Sequence, residues 1–304
     1  MATLRGQNFR ILTLDENTNK YMVVGMATNC TINLTGNTES ATTKDDTGMA
    51  DKPTIVSKAW QVSVESLNVA DAGAMMAALK SLKPFTLVWD EVGVADNQTI
   101  VSGSGIGKTG KAYLSDASFQ FDNRTNSQKS LQFTGSGPLE DASAITQDIV
   151  PLGTYTKGQY VRLFLSDDNI ATPSKVVLAS QTLSIHFSVQ LEETTTKDTT
   201  GDWQTQEPVG LSYDISISAL VRSGDTITST VPAMTYADLQ GIYLNSEPVK
   251  WEIANVNGDN NRTKGTVIVS GSAVMTALNT QSQNRSVVKY DMTLNGYGDY
   301  QVAA

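Results

Sequence analysis

The sequence predicts a mainly β fold made of two tandem copies of one β-sandwich or barrel-like domain, each with a single flanking α-helix. Three observations carry that prediction. The 304-residue chain is 39% hydrophobic and 17% charged, is rich in Thr, Ser and Val, and nearly lacks long Leu/Glu/Lys/Ala stretches. That balance belongs to a folded chain and favours strands. Its apolar residues fall mostly in short alternating runs, the period of a half-buried strand. Lastly, the same blocks recur in the same order about 150 residues apart, the signature of a repeated unit.

The opening block RGQNFRILTLDEN (5–17) aligns with KGQYVRLFLSDDN (157–169) at an offset of 152. An offset of 153 then holds without gaps, matching TTKDDTG (42–48) to TTKDTTG (195–201) and AWQVSVESL (59–67) to SYDISISAL (212–220). The closing block DNRTNSQKSLQFTGSG (122–137) aligns with QNRSVVKYDMTLNGYG (283–298) at an offset of 161. These matches divide the chain into residues 1–150 and 151–304, joined within ASAITQDIVPLGTYT (142–156).

Taken in order, Ile32/Leu34 and the counterparts Ile185/Phe187 predict the first half-buried strand of each copy. A long polar segment follows, about 36–57 and 189–211. Its length suits either a mobile surface loop or an arm that reaches a neighbouring subunit. Both copies keep the length and the Thr-Thr-Lys-Asp run, which favours the arm. The candidate contact residues are Thr42, Thr43, Lys44, Asp45 and Asp46 in copy 1, and Thr195, Thr196, Lys197 and Asp198 in copy 2. Trp203, an aromatic residue in the polar loop of copy 2, joins them. The alternating Trp60/Val62/Val64 and Tyr213/Ile215/Ile217 predict the next strand. One helix per copy comes after it: 70–83, with Asp71 as cap and Met75, Leu79 and Leu82 on one face, and 235–245, with Thr235 as cap. Leu131/Phe133 and Met292/Leu294 predict the closing strands.

The chemistry of the chain excludes several function classes. Its net charge is −9 and its pI about 4.7, with no cluster of Lys and Arg to grip a phosphate backbone. Cys30 and His186 stand alone, so no disulfide, zinc cluster or His-based triad is expected. The amino-terminal segment lacks the apolar core of a secretory signal, and no window approaches the 18 apolar residues of a membrane span. The stretch SGSGIGKTG (102–110) looks like a phosphate-binding loop, but Ser102 stands where the first Gly belongs. Strand-like residues follow it instead of a helix whose N-terminus could hold phosphate. A glycine-rich turn between strands is the reading. The carboxylate pairs Asp45/Asp46, Asp167/Asp168 and Glu192/Glu193 read as solvated loop charge, and Trp60 as core. No catalytic residue, cofactor or metal site is expected.

The residues VVGMATNCTINLT (23–35), TTKDDTG (42–48), KAWQVSVESL (58–67) and GKAYLSDASFQF…SLQFTGSGPL (110–139), in this order, resemble the major tail tube protein of long-tailed bacteriophages. The resemblance covers nearly all of copy 1 and, more faintly, copy 2. It implies a β-sandwich with a flanking helix, of which six surround a lumen lined by a continuous β-barrel, in rings that stack into a tube. The duplication departs from the usual single domain and implies three chains to a pseudo-hexameric ring. The implied role is a structural virion protein of the tail, assembled in the bacterial cytoplasm, through which genomic DNA passes. The implied partners are further copies of itself, a tape measure protein, a tail terminator and baseplate or tail tip proteins, with no membrane. The inner tube of a contractile injection system shares that fold and stays open as an alternative, as does a tandem β-sandwich adhesin or carbohydrate-binding protein.

Overall fold

The alternating runs become long antiparallel strands, seen in a computed structural model that describes residues 6, 9–15, 20–24, 26–45, 50–67, 72–91, 107–142, 149–150, 157–166, 171–199, 201–222, 232–257 and 263–302. The first half contains β1 (Phe9–Asp15), β2 (Lys20–Val23), β3 (Met26–Ser40), β4 (Pro53–Leu67), α1 (Ala72–Ser81), β5 (Phe85–Glu91), β6 (Lys108–Asp122), β7 (Gln128–Gly135) and β8 (Glu140–Asp141). A short β9 (Ile149–Val150) follows. The second half contains β10 (Val161–Leu165), β11 (Lys175–Val177), β12 (Ser180–Glu193), β13 (Gln206–Leu220), β14 (Ala233–Met234), α2 (Tyr236–Asn245), β15 (Val249–Asn257), β16 (Thr263–Gln281), β17 (Lys289–Gly296) and β18 (Gln301–Val302).

One set of pairings serves both halves. In the first, β3 pairs with β4, β4 with β7 and β7 with β6, while β6 also pairs with β5 and β8, and β1 with β5 and β2. In the second, β12 pairs with β13, β13 with β17 and β17 with β16, while β16 also pairs with β15 and β18, and β10 with β15 and β11. Even the registers correspond: Ile32 faces Val62 as Ile185 faces Ile215, and Ala117 faces Leu131 as Leu278 faces Met292. Along β6 the register against β7 slips between Leu114 and Asp116, as that of β16 against β17 slips between Met275 and Ala277. A bulge of this kind bends a strand and increases its twist. The halves differ at one parallel contact. β11 receives β14, from just before α2, whereas β2 receives β9, from the last residues of the first half.

One large apolar core runs through both halves. Trp60 on β4 meets Trp89 on β5 at 5.6 Å between ring centroids, and Phe133 on β7 meets Phe85 on β5 at 5.9 Å. α1 adds the buried Met75, Met76 and Leu79, and α2 adds Leu239 and Ile242. A glycine sits under each central ring: a Cβ on Gly135 would lie 2.2 Å from the Trp60 indole, and one on Gly296 2.6 Å from the Tyr213 ring.

Nearly half of each polar segment, 36–57 and 189–211, is strand and not loop. β3 and β12 run on to Ser40 and Glu193, and β4 and β13 begin at Pro53 and Gln206, so each segment is a protruding β-hairpin. Much of that ladder is solvent-exposed on both faces, so no apolar alternation marks it in the sequence. α1 ends where Leu82 takes φ 52°, while Asp71, its expected cap, lies outside the described residues. Thr235 caps α2 as expected: its side chain accepts from the Asp238 N–H at 3.2 Å, and its own N–H donates to the Asp238 carboxylate at 2.8 Å. This is a capping box. Of the glycine-rich stretch, 102–106 lie outside the described residues; from Lys108 onward the chain is strand, with no helix to hold a phosphate.

Candidate functional site

The halves meet edge to edge. β12 adds antiparallel to β6 over seven residue pairs, from Thr182↔Asp122 to Ser188↔Asp116. β3, β4, β7, β6, β12, β13, β17 and β16 thereby form one continuous run of eight strands. On its inner face Leu183, Ile185 and Phe187 lie opposite Phe121, Phe119 and Ala117, all buried. Phe187 packs on Phe119 at 6.3 Å and on Tyr300 at 4.8 Å. Tyr300 ties the halves again: its hydroxyl donates to the Met76 carbonyl of α1, and its own carbonyl accepts from Lys80 Nζ, both at 2.7 Å.

The other face of this sheet is polar, as alternation requires. Its strands present Asn, Ser, Thr and Gln together with the carboxylates Glu65, Asp116, Asp122, Asp214 and Asp291, against Lys289 and His186. His186 bridges the seam: Nε2 lies 2.7 Å from Asp116 on β6, and Nδ1 lies 3.1 Å from Asp214 on β13. Burial pulls its pKa down, but the hydrogen bonds and negative charges of the two carboxylates prevail and raise it above the ordinary histidine value. The charge count in the sequence could not show this cluster, because its members come from three strands.

The hairpin of the second half crosses onto the first. Gly137 N–H donates to the Gln204 carbonyl at 2.8 Å, and Ser136 Oγ donates to the Gln206 carbonyl at 3.1 Å. Lys58 pairs with Asp202 at 3.1 Å and lies 5.9 Å from the centroid of the Trp203 ring. Trp203, picked out as a contact residue, therefore lies against the first half of its own chain. Thr195, Thr196, Lys197 and Asp198 form the exposed tip of that hairpin, pinned by the Thr205 N–H donating to Thr195 Oγ1 at 3.0 Å. Thr42, Thr43, Lys44 and Asp45 are exposed at the equivalent tip of the β3–β4 hairpin; Asp46 lies outside the described residues. Lys108 forms an exposed ion pair with Asp141 of β8 within its own half. Among the described residues no group of His, Cys, Asp and Glu could hold a metal ion. No described helix is long and apolar enough to cross a membrane.

Among the described residues, two edges of the eight-stranded run stay open. β3 pairs with β4 on one side only, and residues 277–281 of β16 pair with β17 on one side only. The edge of β3 exposes apolar surface: Leu34 is 65% exposed, whereas Phe187, 153 residues later, is 0% exposed. The expectation of equal burial for Ile32/Leu34 and Ile185/Phe187 therefore fails on the first pair. β12 has β6 beside it, and nothing described lies beside β3.

The architecture is mainly β, with a continuous sheet running through both halves. Residues 161–302, from the first residue of β10 to the last of β18, match the family of phage tail tube proteins. That match spans the second half, where the motif resemblance is the fainter. Among solved structures it is similar to a chain in the tail of an empty gene transfer agent particle determined with C6 symmetry, at 15% identity, covering 48% of this chain and 95% of that one with a TM-score of 0.36. A chain of the native gene transfer agent virion shows 15% identity, with coverage of 49% and 99% and a TM-score of 0.36. The SPP1 tail tube shows 16% identity, with coverage of 46% and 75% and a TM-score of 0.32. No curated protein matches the chain.

Proposed function

We propose that the chain is a tail tube subunit with two tandem tube domains, residues 1–150 and 151–304, and that three chains close into a pseudo-six-fold ring. Rings stack into a tube that conducts double-stranded DNA. The observation that carries this reading is the β6–β12 seam, in which two halves of matching pairing pattern already extend one sheet edge to edge and leave both outer edges open. Open edges invite pairing, and cyclic closure removes them.

The polar face of the eight-stranded run is the wall of the lumen in this reading. Duplex DNA carries about one negative charge per 1.7 Å of axis, and a face of small polar side chains with an excess of carboxylates gives it nothing to hold. The exposed hairpin tips, Thr42–Asp45 and Thr195–Asp198, with Asp46 next in sequence, make contacts between neighbouring or stacked subunits. In the tail the tube meets a tape measure protein within, a terminator at one end and baseplate or tip proteins at the other.

Electron microscopy of the purified protein tests the proposal directly. Rings or tubes with a central hole are expected, and light scattering of single rings should give three times the 32.6 kDa chain mass. A protein that stays monomeric at high concentration counts against it.

A further inference from the structure

We infer that one chain joins the next through a second seam built like β6–β12, with β3 adding antiparallel to the C-terminal end of β16 in a second copy of this chain. The inference rests on the ring reading above and gives that ring its contact and its register. Residues 29–35 of β3 stand to β4 as residues 182–188 of β12 stand to β13. Residues 277–281 of β16 stand to β17 as 116–120 of β6 stand to β7, each just after the register slip. Carrying the observed register across (Leu183↔Phe121, Ile185↔Phe119, Phe187↔Ala117) places Cys30 opposite Ser282, Ile32 opposite Thr280 and Leu34 opposite Leu278. Ser282 lies just past β16 and joins the ladder, as Phe121 does in the seam within the chain.

Three observations outside the strands agree. The 189–206 hairpin lies across the first half at Ser136 and Gly137. The β3–β4 hairpin, with Ile55 and Val56 exposed, has as its equivalent target Tyr297 and Gly298 of the next chain. Tyr297 is itself exposed, and Gly137 and Gly298 share a left-handed conformation, φ 90° and 71°. On α1, Lys80 is covered by Tyr300 of the other half. Its equivalent on α2, Leu244, is 77% exposed, an apolar residue awaiting a neighbour. The two seams differ in charge: Asp116, His186 and Asp214 become Ala277, Asn33 and Gln61.

The single native cysteine gives the test. Ser282→Cys, an exposed substitution, is oxidised with copper–phenanthroline under ring-forming conditions, at alkaline pH because burial pushes the Cys30 thiol up to about 11. Directly opposed residues place Cα atoms within disulfide reach. Non-reducing gels should show covalent dimers and trimers of the 32.6 kDa chain, lost on adding Cys30→Ser. Gln281→Cys and Gln283→Cys point to the other face and should yield roughly tenfold less. If wild-type rings form but cross-linking peaks at 281 or 283, or occurs at none of the three, the seam is wrong and the ring stands. If wild-type protein forms no rings, the ring reading falls and the seam falls with it.

Discussion

His186 is the lone histidine of the chain, and it spans the seam between the halves, held by one carboxylate from each. Its pKa in the fold is raised above 6.5. The stabilisation from protonating it is therefore fully present below the unfolded-state value and is lost as pH rises through the folded-state value. His186→Asn should flatten the dependence of melting temperature on pH across the neutral range, where the wild type becomes less stable as pH rises; parallel thermal scans of both proteins check this. The sequence made it legible that His186 sits on an alternating strand without catalytic company. Its partners were not legible, because Asp116 and Asp214 lie 70 and 28 residues away. The glycines under Trp60 and Tyr213 were likewise visible as matched positions, but their reason is a close approach that only packing reveals.

The hairpins show where reading at the scale of elements succeeds and where it stops. Strands with one buried face, such as Trp60/Val62/Val64, announce themselves through alternation, and α2 through its cap. The outer parts of β3 and β4 carry no such signal, since solvent meets both faces, and they read as a loop. Replacing residues 41–52 by an Asn-Gly turn keeps the β3–β4 ladder, whose last pair is Ser40↔Pro53. That variant should keep monomer stability within about 0.5 kcal/mol and lose ring or stack formation. Unfolding curves and sedimentation velocity measure the two effects separately; normal assembly would remove the tip from the contact.

At the scale of the whole molecule, equivalent residues of the two halves live in different surroundings. Phe187 is buried in the seam between the halves, while Leu34 stands exposed on an open edge. Leu34→Asp should therefore leave the chain folded, with a stability change within about 0.5 kcal/mol, and abolish rings in light scattering. Phe187→Asp buries a charge with no partner and should unfold the protein. That the two halves share one pairing pattern was legible from block repeats alone. The seam was not, because edge-to-edge addition of β12 to β6 leaves no mark in either block taken singly.

The seam within the chain also governs arithmetic. When domains come singly, a closing ring can err by one and trap five or seven. In the ring proposed above, two domains on every chain would make the number even, and the nearest errors to six would be four and eight, each a much larger change in curvature. Every other contact around such a ring is formed when the chain folds, before any encounter, so only three meetings must occur in solution instead of six.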